Sequence, residues 1–316
     1  MLETDTTTMR DSAAASRTGV YGVPDAKLVN LPADAVQFSP LMPGASELET
    51  QEEGALTSMA MAAPPGALER RYAMALALRA VAQGGSFAAH APNDRGGTRL
   101  RKELQAFGCT VDETARRHHR IVVCTRPDNL TGIDEALANG GPRVVKDLDL
   151  WSQPGVFSWD RIDPGTALLM DQLQPLSGRG VDFGCGIGVL SRAVLASKRV
   201  KQLTSIDIDR RAIKAAQRNF DEPRLRFLWA DVREKSSDLT DLDFVVMNAP
   251  FHDAGAEDRA LALDFVLRAA EVLHKGGVCW LTANRHLPYE AVLNESFKRV
   301  ELKTQTGGYK IYEAHK

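Results

Sequence analysis

The sequence predicts an α/β protein made of two tandem units, each a largely parallel sheet with helices packed on it. Three observations carry this prediction. In the second half, strand-like runs alternate with amphipathic helical runs. A stretch of the first half repeats the element order of the second. The opening strand of the second half ends in an acid, followed by glycines at alternate positions and then a helix. The length of 316 residues agrees, because single cores rarely grow much past ~250 residues.

Taken in order, residues 1 to about 20 are rich in Thr, Ser and Ala without periodicity and read as a disordered tail. Short strands are expected around 35–38 and 56–61, then a helix from Leu68 to Ala82 closed by Gly84-Gly85. A strand at 86–91, a helix at 98–107 ending at Gly108, and strands near 110–114 and 120–125 complete a first unit spanning 21–150. The second unit, 151–316, alternates more cleanly. Strands are expected at 180–183, 202–206, 224–229, 244–247 and 278–283, with helices at 189–197, 211–220, 259–273 and 289–297. Two closing strands, 300–306 and 308–314, suggest an antiparallel edge.

The repeat pairs Met59-Ala60-Met61-Ala62-Ala63-Pro64 with Val245-Val246-Met247-Asn248-Ala249-Pro250. Each copy runs on into a helix carrying the string Ala-Leu-Ala-Leu, at 75–78 and 260–263, then a Gly-Gly pair, a strand, a helix and two strands. The same element order over some sixty residues argues for two copies of one architecture side by side.

Composition narrows the class. A 44% hydrophobic and 25% charged chain is ordinary for a globular protein. No apolar run reaches the ~20 residues of a bilayer span. The N-terminus lacks a basic, apolar secretory leader. Cys109, Cys124, Cys185 and Cys279 form no Cys-x-x-Cys pair, which fits reduced thiols in the cytoplasm and neither a disulfide framework nor structural zinc. Residues 1–66 hold nine acids against three bases, a balance of −6, and the net charge of −2 leaves +4 on the remainder. An acidic leader on a mildly basic body is compatible with an RNA partner.

The sharpest motif is Val181-Asp182-Phe183-Gly184-Cys185-Gly186-Ile187-Gly188-Val189. Glycines at alternate positions allow a ligand to approach the main chain where a Cβ would block it; a ligand-free strand-to-helix turn would use glycine too. A dinucleotide fingerprint would place glycine at 189, where this chain has Val. An acid two residues before the first glycine suits the positively charged amino-acid end of S-adenosyl-L-methionine. Asp182, Gly184, Cys185, Gly186 and Gly188 are therefore expected to hold that cofactor. In Ser205-Ile206-Asp207-Ile208-Asp209, Asp207 is placed to accept ribose hydroxyls, with Ile208 beside it, and Asp209 to cap the next helix. Asp231, flanked by Ala230 and Val232, stands where an adenine amino group would lie.

The fourth strand ends in Asn248-Ala249-Pro250-Phe251-His252. A planar exocyclic amine is a poor nucleophile because its lone pair is delocalised into the ring. The Asn248 side-chain oxygen and the Ala249 carbonyl could accept its two N–H groups and draw the nitrogen toward tetrahedral geometry. Pro250 restricts Ala249 and so aims that carbonyl, and Phe251 would stack on an extruded base. Asn248 thus serves both the cofactor and the reacting amine.

These residues resemble the bacterial ribosomal RNA guanine-N2 methyltransferases, methyltransferase C of the small ribosomal subunit and methyltransferase G of the large one. Those enzymes carry Asn-Pro-Pro-Phe-His after an Asp-x-Gly-x-Gly-x-Gly loop. The stretch Gly155-Val156-Phe157-Ser158 to Asp163-Pro164-Gly165-Thr166 is similar to the family's entry into its catalytic domain, and 282–289 and 307–312 are similar to its close. The resemblance covers about 154–316 strongly and the first half more weakly. It implies two tandem Rossmann-like class I methyltransferase domains, the N-terminal one degenerate. It further implies methyl transfer from S-adenosyl-L-methionine to a guanine N2 of ribosomal RNA, most naturally the 16S rRNA of the small subunit, by a cytoplasmic monomer. In the first copy Ala62 replaces Asn248, Pro65 replaces Phe251, and no glycine loop precedes them, so that half is expected to hold RNA rather than catalyse. This chain has Ala249 where the family has Pro, which supplies the same carbonyl with less rigidity.

Other readings remain open on these residues: adenine N6 or a protein glutamine amide as acceptor, or an RNA-binding assembly factor without catalysis. The loop ending at Thr166 is expected to act as a lid. A basic cluster, Arg95, Arg99, Arg101, Lys102 and Arg116 to Arg120, could grip phosphates or be a solvated face. His118 and His119 lack a third ligand, so no metal is assigned.

Overall fold

A computed structural model describes residues 17–235, 239–249, 252–253, 256–257, 259–286 and 289–316. The N-terminal half comprises β1 (Thr18–Tyr21), β2 (Val36–Gln37), β3 (Leu56–Ala62), α1 (Ala67–Ala80), β4 (Val81–Pro92), α2 (Leu100–Ala106), β5 (Val111–Arg116), β6 (His119–Thr125) and α3 (Ile133–Gly140). A connecting hairpin, β7 (Arg143–Val145) and β8 (Leu150–Ser152), leads out of it. The C-terminal half begins with α4 (Pro164–Gln172), β9 (Gly178–Phe183), α5 (Val189–Leu195), β10 (Val200–Asp207), α6 (Arg210–Asn219) and β11 (Leu225–Trp229). It continues through β12 (Leu242–Asn248), β13 (His252–Asp253), β14 (Ala256–Glu257), α7 (Arg259–Val272), β15 (Leu273–Asn284), α8 (Tyr289–Ser296), β16 (Arg299–Thr306) and β17 (Tyr309–His315).

The two sheets have one plan. The C-terminal sheet runs β11-β10-β9-β12-β15-β17-β16, with the first five strands parallel and the last two antiparallel. The N-terminal sheet runs β2-β1-β3-β4-β6-β5, again parallel until its last two strands. Ala62 pairs with His90 in one sheet as Asn248 pairs with Thr282 in the other. The copies therefore coincide, but among the described residues the first lacks a counterpart of β11 and has no helix on either side of β2.

Central parallel strands are covered on both faces, so they read as continuous apolar runs. In β12, Phe244 and Val246 enter one core with Leu169, Leu190 and Trp280, while Val245 and Met247 enter another with Phe265 and Val266. This strand is the spine that carries Asn248 to the sheet's carboxyl edge.

The tail expected at 1–20 meets the structure only at its last four residues. Thr18–Tyr21 is not tail but β1, seated between β2 and β3. Its signal was hidden because Gly19 gives the strand no apolar side chain there; a Cβ would lie 2.8–2.9 Å from Met59 and Leu56. Helices α3 and α4 and the β7–β8 hairpin were also absent from the sequence expectation. Helix α4 starts on Asp163, whose Oδ1 accepts from Thr166 N at 3.0 Å, with Pro164 at its first position.

The halves are joined by an ionic seam, buried at Arg210 and Arg211. Arg211 on α6 donates to Glu69 on α1 at 2.6 Å and to Asp209 at 2.8 Å. Its neighbour Arg210 donates to the carbonyls of Ala45 and Ser46 at 3.1 and 3.2 Å, and Lys214 pairs with Glu47. Gly155, at φ 103°, lies where a Cβ would meet Arg211 and Glu69 at 2.5–2.6 Å. That contact gives a packing reason for glycine in the Gly-Val-Phe-Ser stretch.

Candidate functional site

The carboxyl ends of β9, β10, β11 and β12 converge on a cavity of about 300 Å³, at the small end of the range for ligand sites. Parallel sheets expose their ligand crevices at this edge. The glycine loop forms its floor. Gly184, Gly186 and Gly188 have φ of 71°, 54° and 91°, a region L side chains rarely adopt. The loop is pinned to β10: Gly184 N and Cys185 N donate to the Ile206 carbonyl at 2.9 and 3.0 Å, and Gly186 N donates to Asp207 Oδ2 at 2.8 Å.

The three glycines have different reasons. At Gly186 a Cβ would project into open space, and at Gly184 it would meet only Phe265, at 3.7 Å. Both positions line the cavity. Gly188 does not; a Cβ there would strike the Phe220 ring at 2.5 Å, so close packing explains that glycine without a ligand. Cys185 is buried off the cavity, its thiol facing the Gly186 carbonyl at 3.6 Å.

Asp207 reaches the cavity wall, with Oδ1 accepting from Asp209 N at 2.8 Å. Burial, followed by the nearby Asp209 charge, pushes its carboxyl up to about 6. Asp209 caps α6 through Arg211 N at 2.9 Å. Asp182, by contrast, does not line the cavity. Its Oδ2 accepts from Ser191 Oγ at 2.6 Å, Ser191 meets Ser205 Oγ at 2.8 Å, and its Oδ1 has no partner among the described residues. Burial pushes this carboxyl up to about 7.

Ile208, Asp231, Val232 and Ala249 all line the cavity. Ala230 does not; it packs toward the α7 side of the core, and its N–H donates to the Asp207 carbonyl at 3.1 Å. The Asp231 carboxylate is forked by Arg233 at 2.6–3.0 Å, and that hydrogen bond holds its carboxyl below the usual range. Pro250 and Phe251 lie outside the described residues.

Asn248 carries the most specific geometry. Its Nδ2 donates to Asp163 Oδ1 at 2.9 Å and to Thr166 Oγ1 at 2.8 Å. A carboxylate only accepts, so Asp163 fixes which end of the carboxamide faces it. Both N–H groups are thereby used, and the Asn248 oxygen is the atom left to accept at the cavity. Tyr309, across the strand edge, hydrogen-bonds Asp163, and burial together with that carboxylate raises its phenol above the ordinary value. Gly165 makes room for the tyrosine ring, since a Cβ there would lie 2.6 Å from it. Thr166 is thus a buried part of α4 and not a lid. An acid-capped helix start places Asp163 and Thr166 one turn apart, on the side where Asn248 arrives.

Sequence reasoning missed Leu41, Val156, Phe157, Leu261 and Phe265 as walls of the cavity, and Asp163 and Tyr309 behind Asn248. The Gly155–Phe157 and Asp163–Thr166 stretches were visible as motif segments but were assigned only to a lid, not to the cavity wall or the Asn248 partners. Leu41, in a Pro-flanked Leu-Met pair far upstream of the glycine loop, gave no signal.

The methyltransferase small domain profile matches residues 147–313, more than half the chain and all of the cavity's strand ends. The chain belongs to the methyltransferase small domain family. Among similar proteins, a ribosomal RNA small subunit methyltransferase C of Shewanella amazonensis (strain ATCC BAA-1098 / SB2B) is 36% identical over 171 residues, covering 52% of this chain and 49% of the relative. One of Pseudomonas entomophila (strain L48) is 31% identical over 222 residues, covering 67% and 65%. The chain spans about half the length of most such relatives. A T. thermophilus 16S rRNA N2 methyltransferase, solved in complex with AdoMet and guanosine, superposes with a TM-score of 0.75 over 95% of this chain and 88% of that one, at 21% identity. That likeness of fold runs through both halves of the chain.

Among the described residues, the first copy carries no comparable cavity side chains. Where the second has Asn248, Ala62 ends β3, and Arg70 fills the space beyond it. Its guanidinium is 1% exposed, donating to the Pro64 and Pro65 carbonyls at 3.1 and 2.8 Å and pairing with Glu103 at 2.7 Å. The counterpart of the turn after Asn248 is tied off by this buried arginine and its ion pair.

Proposed function

We propose that the protein transfers a methyl group from S-adenosylmethionine to the exocyclic N2 of a guanine in the 16S ribosomal RNA of the small subunit, as a cytoplasmic monomer. The observation that carries this reading is the locked Asn248 carboxamide, whose nitrogen is held by Asp163 and Thr166 and whose oxygen remains to accept at the cavity. The cofactor fits the residues present. Gly186 leaves open space beside the main chain, Asp207 offers a carboxylate at the ribose position, and apolar Ile208, Val232 and Phe265 supply walls for a purine.

S-adenosylmethionine would supply the electrophilic methyl group. The chain's residues supply orientation. Asn248 Oδ1 accepts one N–H of the guanine amine and the Ala249 carbonyl the other, which turns the nitrogen lone pair out of the ring plane. In this reading the aromatic residue assigned to the extruded base is Phe251, next in sequence to Pro250. Asp182, Gly184, Gly186, Asp207 and Asp231 hold the cofactor in this reading, Asp182 from beneath the loop. No residue need act as a base before transfer, because the amine proton becomes acidic once nitrogen carries positive charge.

The N-terminal half is assigned to RNA. Its β5–β6 hairpin turns through Arg117 and His118, both at positive φ (49° and 62°), and lies at the same sheet edge as β3's carboxyl end. Arg99, Arg101, Lys102, Arg116, Arg117 and His118 are exposed there or close by in sequence, which suits phosphate contacts that position without reading sequence.

The test is incubation of purified protein with labelled S-adenosylmethionine and separated ribosomal subunits, followed by nucleoside analysis. Label in N2-methylguanosine of small-subunit RNA, lost in Asn248→Ala, is expected. Label in N6-methyladenosine or in protein would reject the substrate assignment. Full activity of Asn248→Ala would reject the mechanism.

A further inference from the structure

We infer that the N-terminal half is part of the cofactor site, through Leu41, which closes the nucleoside end of the cavity and makes ligand affinity depend on both halves. The inference rests on the cofactor reading above and adds to it a residue from outside the matched methyltransferase segment, which begins at 147.

Leu41 lines the cavity, although it lies in the loop that follows β2 in the other domain. Its position is imposed by the main chain. The Pro40 carbonyl accepts from Arg210 N at 2.9 Å, which places Leu41 beside the β10–α6 turn, two residues past Ile208. The same loop is fastened further on by Arg210 to the Ala45 and Ser46 carbonyls at 3.1 and 3.2 Å. The Arg210 guanidinium lies 5.0 Å from the Trp229 ring centroid, and Trp229 Nε1 donates to the Ile208 carbonyl at 2.8 Å. The loop is therefore clamped onto the turn that presents Asp207 and Ile208.

Leu41 is also left wet. It is 43% exposed, and two other large apolar side chains on the same cavity, Phe157 and Ile208, are 62% and 37% exposed. Isolated exposed apolar residues need no explanation, but three that share one concave site mark a surface completed by a ligand. They come from three separate parts of the chain: the N-terminal loop, the connecting segment and the end of β10. Ile208 follows the ribose-facing Asp207, so the occupant at this end is the adenosine moiety, with Leu41 covering an edge of the purine. Clamping by Arg210 means that this wall is in place before the ligand arrives.

Calorimetric titration of the full chain with S-adenosylhomocysteine and with 5′-methylthioadenosine tests this. Leu41→Ala is expected to raise Kd for both ligands roughly five-fold, the effect of removing part of one leucine's burial. Leu41→Met should retain most of the affinity, and Val23→Ala, at a site 80% exposed on the N-terminal half, should match the unsubstituted protein. Thermal melts of the same samples report whether the fold is kept. Unchanged affinity in folded Leu41→Ala overturns this inference and leaves the cofactor reading intact. So does a loss seen with S-adenosylhomocysteine but absent with 5′-methylthioadenosine, which places Leu41 elsewhere in the cavity. No binding of either ligand by the unsubstituted chain overturns both.

Discussion

Replacing Asp163 with alanine separates the orientation of Asn248 from its presence. In the native site the carboxamide has two partners: the Asp163 carboxylate at 2.9 Å and the Thr166 hydroxyl at 2.8 Å. A hydroxyl can donate or accept, so Thr166 tolerates either end of the amide; a carboxylate accepts only. Orientation is thus set by Asp163. A hydrogen bond to a charged group contributes about 1.5–3 kcal/mol, which corresponds to a preference of roughly 10- to 150-fold for the productive orientation. Removing it frees the amide to present Nδ2 to the cavity, where it would repel the substrate amine's hydrogens. The expected loss in kcat is roughly 30-fold, within the range for a misplaced orienting group. Asp163 also caps α4, so a stability loss of about 1 kcal/mol accompanies it. Asp163→Asn keeps the cap and an oxygen facing Asn248, so its loss in kcat should be several-fold smaller. Asp163 is not a wall of the cavity, so Kd for S-adenosylhomocysteine should stay within twofold. The assay is single-turnover methyl transfer at saturating cofactor, with calorimetry alongside. A folded Asp163→Ala enzyme with native kcat, or one whose defect lies wholly in cofactor affinity, would refute the reasoning.

Three further outcomes follow from the same geometry. Gly186→Ala, with open space for its Cβ but φ of 54°, should cost about 1 kcal/mol of stability and abolish tight cofactor binding, whereas Gly188→Ala, which strikes Phe220, should cost roughly 2–3 kcal/mol; denaturant titrations that reverse this order contradict the separate roles. Asp182 and Asp207, raised by burial to about 7 and about 6, bind protons more tightly folded than unfolded, where the value is 3.8. Their stabilising contribution is complete below 3.8 and is lost as pH rises through 6 and 7, so the ligand-free Tm should fall from pH 5 to 8 on their account. Asp182→Asn should flatten that fall, and an unchanged slope would count against it. Glu69→Ala removes one partner of the buried Arg211 and should destabilise the protein by about 3 kcal/mol in urea unfolding, with Asp209 retaining the remainder; a loss under about 1 kcal/mol would show that the seam is dispensable.

Much of the fold was legible because it rests on local signals. Apolar strand-like runs alternating with helical ones gave the elements of the second half, and Asp209 announced its cap on α6. The repeated Met-Ala-Met-Ala-Ala-Pro stretch disclosed the doubled sheet even though the two copies share few residues. Elements without a local signal were lost. Strand β1 has glycine at an inward position and is held by its neighbours, and α4 is short, with its acid cap read as part of a loop.

For the site, the sequence by itself determined which backbone turns and which functional groups stand at the strand ends: the glycine loop, Asp207, Asp231 and Asn248, each fixed by its place after a strand. It also determined that the first copy lacks them. Only the tertiary structure decided how those groups are used. It turned Asp182 under the loop, gave Gly188 to Phe220, and bound the Asn248 nitrogen to Asp163 and Thr166, 85 and 82 residues away. It brought Leu41 across from the other half. Periodicity and motif spacing report the direction a chain takes over a few residues. Which face of an amide is free, and which distant side chain closes a cavity, depend on long-range packing that no local pattern encodes.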